Sequence, residues 1–160
     1  MKKLLVVIMI VVLAVSFAFA QEVLDTKKMD AGLRGGPNSG ITGRYFLSEG
    51  NAVEALLTYH KGIILTGLYE WHKPLSIGKI ENLSWFFGGG VHVGYWGSGG
   101  FWDRNDIALG VAGIVGIEYD LEPLINFPIT ASLDYKPGID ILGGWTDSWS
   151  DVAFSVRYAF

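Results

Sequence analysis

The chain has 160 residues, of which 50% are hydrophobic, and it carries 22 glycines, no cysteine and a formal charge of −4 at pH 7. This length favours a single domain, and the acidic balance disfavours binding to nucleic acid, which requires a basic surface. The lack of cysteine excludes disulfides, so the packing of a sheet must hold the domain together.

The first 20 residues have the pattern of a secretory signal peptide. Lys2 and Lys3 precede an apolar run that extends to Val15, and small residues then lead to Ala20. The alternative is an uncleaved membrane anchor, but a spanning helix usually needs about 20 apolar residues and lacks such a cleavage-like end. We therefore predict an exported protein, and we expect the polar segment 21–28 to be mobile.

From residue 29 onward, apolar residues alternate with polar or small ones. This period of two predicts extended strands rather than helices. Eight segments show it, at approximately 29–36, 39–47, 52–60, 63–72, 84–95, 107–121, 127–136 and 151–160. The five prolines are interpreted as lying in connections or at strand edges, and Pro137 is predicted to begin a long loop that ends at Ser150.

The last segment shows that each strand has two different faces. Its apolar row is Val152, Phe154, Val156, Tyr158 and Phe160. Residues of the other parity are polar or small, from Asp151 to Ala159. Such alternation fits either a soluble sandwich, with the apolar row in a core, or a membrane barrel, with that row on lipid and the polar row in the lumen. The terminal aromatic favours the barrel, because chain ends are usually polar.

The positions of the charges also favour a membrane barrel. Within the segments they take the parity opposite the apolar row, at Arg34, Arg44, Glu54, Glu70, Glu118, Asp134 and Arg157. A lysine or arginine on the lipid face at mid-membrane costs about 2–4 kcal/mol, so several misplaced charges would unfold an ordinary domain. We predict that Arg44 and Arg157 pair inside the barrel with some of the acids Glu54, Glu70, Glu118 and Asp134, because buried charges need partners. A ligand cavity or a water-filled path is the alternative use of this interior.

Aromatic residues are predicted to form two interfacial girdles, as membrane barrels require. Near the chain ends we place Tyr45, Tyr69, Trp71, Trp85 and Tyr119, together with Phe127, Tyr158 and Phe160. The opposite girdle is expected to contain Tyr59, Tyr95 and Tyr135. A soluble sandwich would instead gather its aromatic residues at mid-strand.

The pattern as a whole resembles the small eight-stranded outer-membrane β-barrels of Gram-negative bacteria, the group of OmpX and the OmpA transmembrane domain. The pieces G-R-Y-F-L at 43–47, T-G-L-Y-E-W-H at 66–72 and W-F-F-G-G-G-V-H-V-G at 85–94 are similar to barrels of this kind in Bacteroidetes. The resemblance implies an all-β, antiparallel up-and-down barrel over residues 29–160 in the cell outer membrane. It also implies that the barrel assembly machinery reads the terminal strand, through the apolar row ending at Phe160.

No cofactor or metal is expected. His60, His72 and His92 are predicted at three different depths, whereas metal ligands must converge. Ser98 and Asp103 could join His60 in a catalytic triad, but nothing in their spacing supports it. The tryptophan-bearing outer loops, 97–105 and 137–150, are candidate contacts for an extracellular partner.

The sequence therefore predicts a monomeric, non-enzymatic barrel with a structural or surface-interaction role in the cell envelope and with the outer-membrane bilayer as its main partner. The alternatives are an enzyme that modifies lipid A or phospholipid, and a narrow channel.

Overall fold

The structure, a computed structural model, describes residues 28–59, 62–78, 82–96, 106–142 and 148–160. The predicted signal peptide, His60, Ser98 and Asp103 lie outside these ranges. So do the predictions for residues 21–27, for the whole of the loop at 97–105 and for residues 143–147 of the second tryptophan-bearing loop.

Eight antiparallel strands form one closed barrel in which every strand pairs with its neighbours in sequence, and β1 pairs with β8. The strands are β1 (Met29–Gly35), β2 (Ser39–Ser48), β3 (Asn51–Tyr59), β4 (Ile63–Pro74), β5 (Leu83–Trp96), β6 (Asp106–Asp120), β7 (Ile129–Leu142) and β8 (Ser148–Ala159). This confirms the predicted all-β, eight-stranded antiparallel architecture.

The alternation along each strand determines which side chains enter the barrel. In β8, Asp151, Ser155 and Arg157 are buried inside, whereas Phe154 and Tyr158 are exposed on the outer wall. The other strands follow the same rule, because successive side chains of a strand point to opposite faces. The apolar rows therefore cover the outside of a single sheet, and among the described strands there is no second sheet against which they could pack.

The two ends of the described chain meet where β1 and β8 close the barrel. Ala31 pairs with Tyr158, and the Phe160 backbone N–H donates to the Met29 carbonyl at 2.9 Å. This pairing leaves neither strand with an open edge, which removes the template for edge-to-edge aggregation.

The seventh strand is longer than the sequence predicted. Pro137 lies inside β7, where it pairs with Ser150 of β8, and the strand continues to Leu142. Ladder pairs between β6 and β7 are present on both sides of Pro137, at Gly138 and Tyr135, but not at Pro137 itself. Proline has no backbone N–H to donate, so a break in one ladder accommodates it without ending the strand. The prediction of a loop from residue 137 was wrong.

A short helix that the sequence analysis did not predict connects β6 to β7. The helix α1 (Glu122–Ile125) has Pro123 in its first turn, and the Glu122 backbone N–H donates to Asp120 Oδ1 at 2.9 Å. Asn126 ends it with a φ of 52°, a left-handed conformation that asparagine tolerates. In the part of the chain that the structure describes, no helix is long and apolar enough to cross a membrane.

The outer wall carries two groups of aromatic rings near the chain termini. Trp71 stacks on Phe87 with a centroid distance of 5.4 Å, and Phe87 stacks on Trp85 at 5.2 Å. Phe127 and Phe160 both contact the Tyr158 ring. Tyr45 on β2 and Tyr119 on β6 have the outward parity of their strands, near the same end of the barrel. These residues lie at the end of the barrel where the sequence analysis placed them, and their position at a membrane interface stays a prediction.

At the opposite end, Tyr59 and Tyr95 both lie beside Ile63, the first residue of β4. Tyr135 does not join them, since it is the seventh residue of the fourteen in β7. Its predicted position at a strand end was wrong, for the same reason that Pro137 was misplaced.

Candidate functional site

The barrel interior is the part of the molecule where chemically active groups are concentrated. One side of it is an apolar cluster of Leu56, Leu68, Phe86, Ala112 and Ile114. Phe86 fills the space beside its pairing partner Gly116, where an added Cβ would lie 2.5 Å from Phe86 Cζ. The glycine on β6 therefore makes room for an aromatic ring from the adjacent strand.

Arg44 is the centre of the charged group nearest the chain termini. Its Nη2 donates to Asp30 Oδ2 at 2.5 Å and to Glu118 Oε2 at 2.7 Å, and its Nη1 lies 3.8 Å from Glu70 Oε2. Its guanidinium carbon is also 4.8 Å from the centre of the Phe46 ring, within cation–π range. One cation thus connects carboxylates from β1, β4 and β6.

Arg157 is the centre of a second charged group, which lies next to the group around Arg44. Its Nη2 donates to Glu54 Oε1 at 2.6 Å and its Nη1 donates to Ser132 Oγ at 2.7 Å. The Thr42 hydroxyl donates to the same Glu54 oxygen at 2.6 Å. Nη1 of Arg157 is also 3.5 Å from Glu118 Oε2, so this group is continuous with the one around Arg44.

Arg34 forms the third charged group, closer to the other end of the barrel. Its two terminal nitrogens donate to the two oxygens of Asp134 at 2.6 and 2.7 Å, which is the bidentate geometry of a strong arginine–carboxylate pair. Nη2 also donates to Asp151 Oδ2 at 3.2 Å. We call the three groups together the interior ion-pair network: Arg34, Arg44, Arg157, Asp30, Glu54, Glu70, Glu118, Asp134 and Asp151.

The six predicted interior charges all lie in this network, but the sequence did not identify all of its members. The sequence analysis placed Arg34 on the inner face but proposed no partner for it. It did not identify Asp30 or Asp151 as members of an ion pair. All three residues have the inward parity of their strands, and this parity is the sequence signal that could have identified them as interior charges. Which acid each arginine contacts depends on how the strands are staggered around the barrel, and that offset is not visible in one strand alone.

The two described histidines occupy different ends of the interior. His92 Nε2 lies 2.7 Å from Asp140 Oδ1, and His72 Nε2 lies 3.0 Å from Glu70 Oε2. His72 also stacks on Phe86 with a centroid distance of 5.2 Å. Asp140 was missed because residue 140 was assigned to a loop. Within the described ranges, no group of three histidine or acidic side chains is arranged to hold a metal ion.

A cavity of about 720 Å³ opens at the mouth of the barrel near the chain termini. His72 and Glu118 line it from the barrel side, and the connection after β4 lines it from outside, through Leu75 and Ser76. Glu118 also binds Arg44, so the interior ion-pair network forms part of the boundary of this cavity.

The closed barrel has a counterpart among solved structures. It is similar to the N-terminal β-barrel domain of OprF from Pseudomonas aeruginosa, with a TM-score of 0.60 and 13% sequence identity over 82% of this chain and 95% of that one. The two chains share a fold. No protein-family model matches this chain, and no curated protein matches its sequence.

Proposed function

We propose that this protein is a non-enzymatic barrel of the Gram-negative outer membrane that is exported by its signal peptide and acts as a structural component of the cell envelope. The observation that carries the proposal is the separation of residue types between the two faces of one closed sheet. The OprF barrel supplies a precedent for the fold, and the arguments for location and role come from the residues of this chain.

The outer wall has the composition that a lipid bilayer requires. Its exposed residues include Leu57, Leu65, Val111 and Ile117. Among the described strand residues, Lys73 is the one charged member of the outward row, and it lies at the end of β4. In water so much exposed apolar surface would favour aggregation, whereas in a bilayer it replaces lipid–lipid contacts.

The strands have suitable lengths for crossing a membrane. A tilted transmembrane strand needs about 9–11 residues. β3 has 9 residues and β6 has 15, with the other strands from β2 to β8 between these values. We propose that the barrel end at which β1 begins and β8 finishes faces the periplasm, and that the opposite strand ends, such as those of β3 and β5, face outward.

The interior supports a sealed lumen rather than a channel. Arg44 on β2 binds Glu118 on β6, the strand directly across the ring of eight. Arg157 on β8 reaches Glu54 on β3, and both side chains are fully buried. We therefore propose that the interior ion-pair network acts as a plug that ties opposite walls together. The pairing of opposite charges in the plug also offsets part of the desolvation cost of burying them.

The terminal strand supports a role in assembly. Its outward row ends in Tyr158 and Phe160, next to the closing pair of strands. We propose that the barrel assembly machinery reads this row before β8 pairs with β1, and that the mature barrel is a monomer because closure leaves no open edge.

Membrane fractionation combined with a gel shift tests the proposal. We expect the protein in the outer-membrane fraction, with faster migration before boiling than after it, because a closed barrel stays folded in detergent. In planar bilayers the purified protein should give no discrete conductance steps. Recovery in the aqueous fraction would refute the membrane location. Steady conductance would indicate a channel, and release of fatty acid from added lipid would indicate an enzyme.

A further inference from the structure

The outer wall contains a feature that a uniform contact with lipid does not require. Between β5 and β8 an apolar groove of about 340 Å³ is lined by six residues of the outward rows, Trp85, Val115, Ile117, Leu133, Tyr135 and Val152, together with Gly116 and Asp134 of the inward rows. The six outward residues belong to four successive strands, so the groove crosses the wall from strand to strand. Asp134 is buried and paired with Arg34, so the exposed lining of the groove is apolar, which suits a hydrocarbon chain.

A cation lies beside this groove. The Lys73 ammonium is 5.9 Å from the centre of the Trp85 ring and 5.9 Å from that of the Phe87 ring. Lys73 and Trp85 are paired residues of β4 and β5, so the ammonium lies beside the part of the groove at the start of β5. At that depth the aromatic rings mark the membrane interface, where headgroups lie.

We propose that Lys73 and the groove together bind one anionic phospholipid, with the phosphate on the Lys73 ammonium and an acyl chain along the groove. This inference rests on the proposed membrane location. Charge complementarity identifies the occupant: the groove alone would accept any acyl chain, but a lysine in an otherwise uncharged outward row selects a headgroup with net negative charge. The Trp85 ring links the headgroup site to the acyl-chain site, because it lies beside the Lys73 ammonium and also lines the groove.

The proposed lipid-binding site lies near the end of the barrel that holds the chain termini. In the proposed orientation that side faces the periplasm, where the leaflet consists of phospholipid. A lysine near an anionic surface contributes about fivefold to binding, which sets the scale of the expected effect.

Native mass spectrometry of the detergent-solubilised protein tests the inference, with phosphatidylglycerol and phosphatidylcholine as the two probes. We expect the first phosphatidylglycerol to bind about fivefold more tightly than phosphatidylcholine. Lys73→Gln should abolish this preference and Lys73→Arg should retain it. Lys28→Gln is the matched control, since Lys28 is an exposed lysine immediately before β1, across the barrel from β5. It should behave as the wild type.

Filling the groove tests the acyl-chain part separately. Val115→Trp leaves Lys73 in place and should weaken the binding of both lipids. Equal losses in the Lys73→Gln and Lys28→Gln variants would refute the site, because the preference would then reflect general surface charge. Every variant is first checked for the gel shift on boiling. Failure of the wild type to show that shift would contradict the proposed function, whereas a shifted wild type without lipid preference would contradict the lipid site alone.

Discussion

Buried charges in this barrel depend on one another in identifiable pairs. Arg157 contributes three hydrogen bonds to partners on three different strands, to Glu54, Ser132 and Thr42. Removing such a cation leaves a carboxylate buried without compensation, which is costlier than removing both members of the pair. Individual residues of the network should therefore be sensitive to single substitutions and less sensitive to paired ones.

Arg157→Met should destabilise the barrel by about 3–5 kcal/mol, because Glu54 would lose its ion-pair partner in a fully buried position. The double variant Arg157→Met/Glu54→Gln should recover a large part of that loss. Urea-induced unfolding in lipid vesicles measures both. Lys28→Met, which removes an exposed cation, is the control and should change the free energy of unfolding little. A double variant no more stable than Arg157→Met would contradict the pairing.

At the scale of the strand, the parity of each residue was predictable and the strand ends were not. Alternation alone placed Arg44, Glu54 and Glu118 on the inner face, because a period of two leaves no choice of side. Proline was a poor marker of where β7 ends, since a barrel can give up one ladder bond and continue to Leu142. The helix α1 could not be predicted from the periodicity of apolar residues, because a helix of four residues is too short to show a period.

The depth of a residue along β6 should determine how well its outer face accepts charge. Val111 is close to the middle of the strand and Ile107 is its second residue, and both are exposed on the outer wall. Val111→Arg should cost about 2–4 kcal/mol, and Ile107→Arg about 0–1 kcal/mol. Unfolding in vesicles of the two variants gives the comparison. Equal costs at the two positions would show that no hydrocarbon contacts this face.

The last strand should affect assembly more than stability. Phe160→Ala is expected to slow the formation of the heat-resistant form in cells, because the final aromatic belongs to the row proposed to be read during assembly. Phe127→Ala is the control, since Phe127 also contacts the Tyr158 ring from the same wall but precedes β7. Pulse-labelled cells sampled over time give the rate for each. Equal slowing by the two substitutions would argue against a special role for the terminal strand.

For the whole molecule, the pattern of one sequence was sufficient to predict a closed barrel with paired charges inside it, but not all of the pairs that form there. Eight alternating segments with charges on one parity are compatible with few other folds. The pairing of Arg34 with Asp134 and Asp151 depends on the stagger of all strands together, so it emerges only when the barrel is closed. The same is true of the position of Lys73 beside a groove made by four other strands.

The central claim is that the apolar row contacts lipid while the charged row fills a closed interior. Because the chain has no cysteine, four single-cysteine variants test it without background: Val111→Cys and Val152→Cys on the outer wall, Ala112→Cys and Ala153→Cys inside. The protein is labelled with bimane in vesicles that contain doxyl-labelled lipid. We predict that the two outer positions are labelled and quenched by the lipid, and that the two inner positions react with bimane or with a water-soluble thiol reagent only after boiling. Rapid reaction of the thiols introduced at the two inner positions of the folded protein, or unquenched bimane at the two outer ones, would contradict the account.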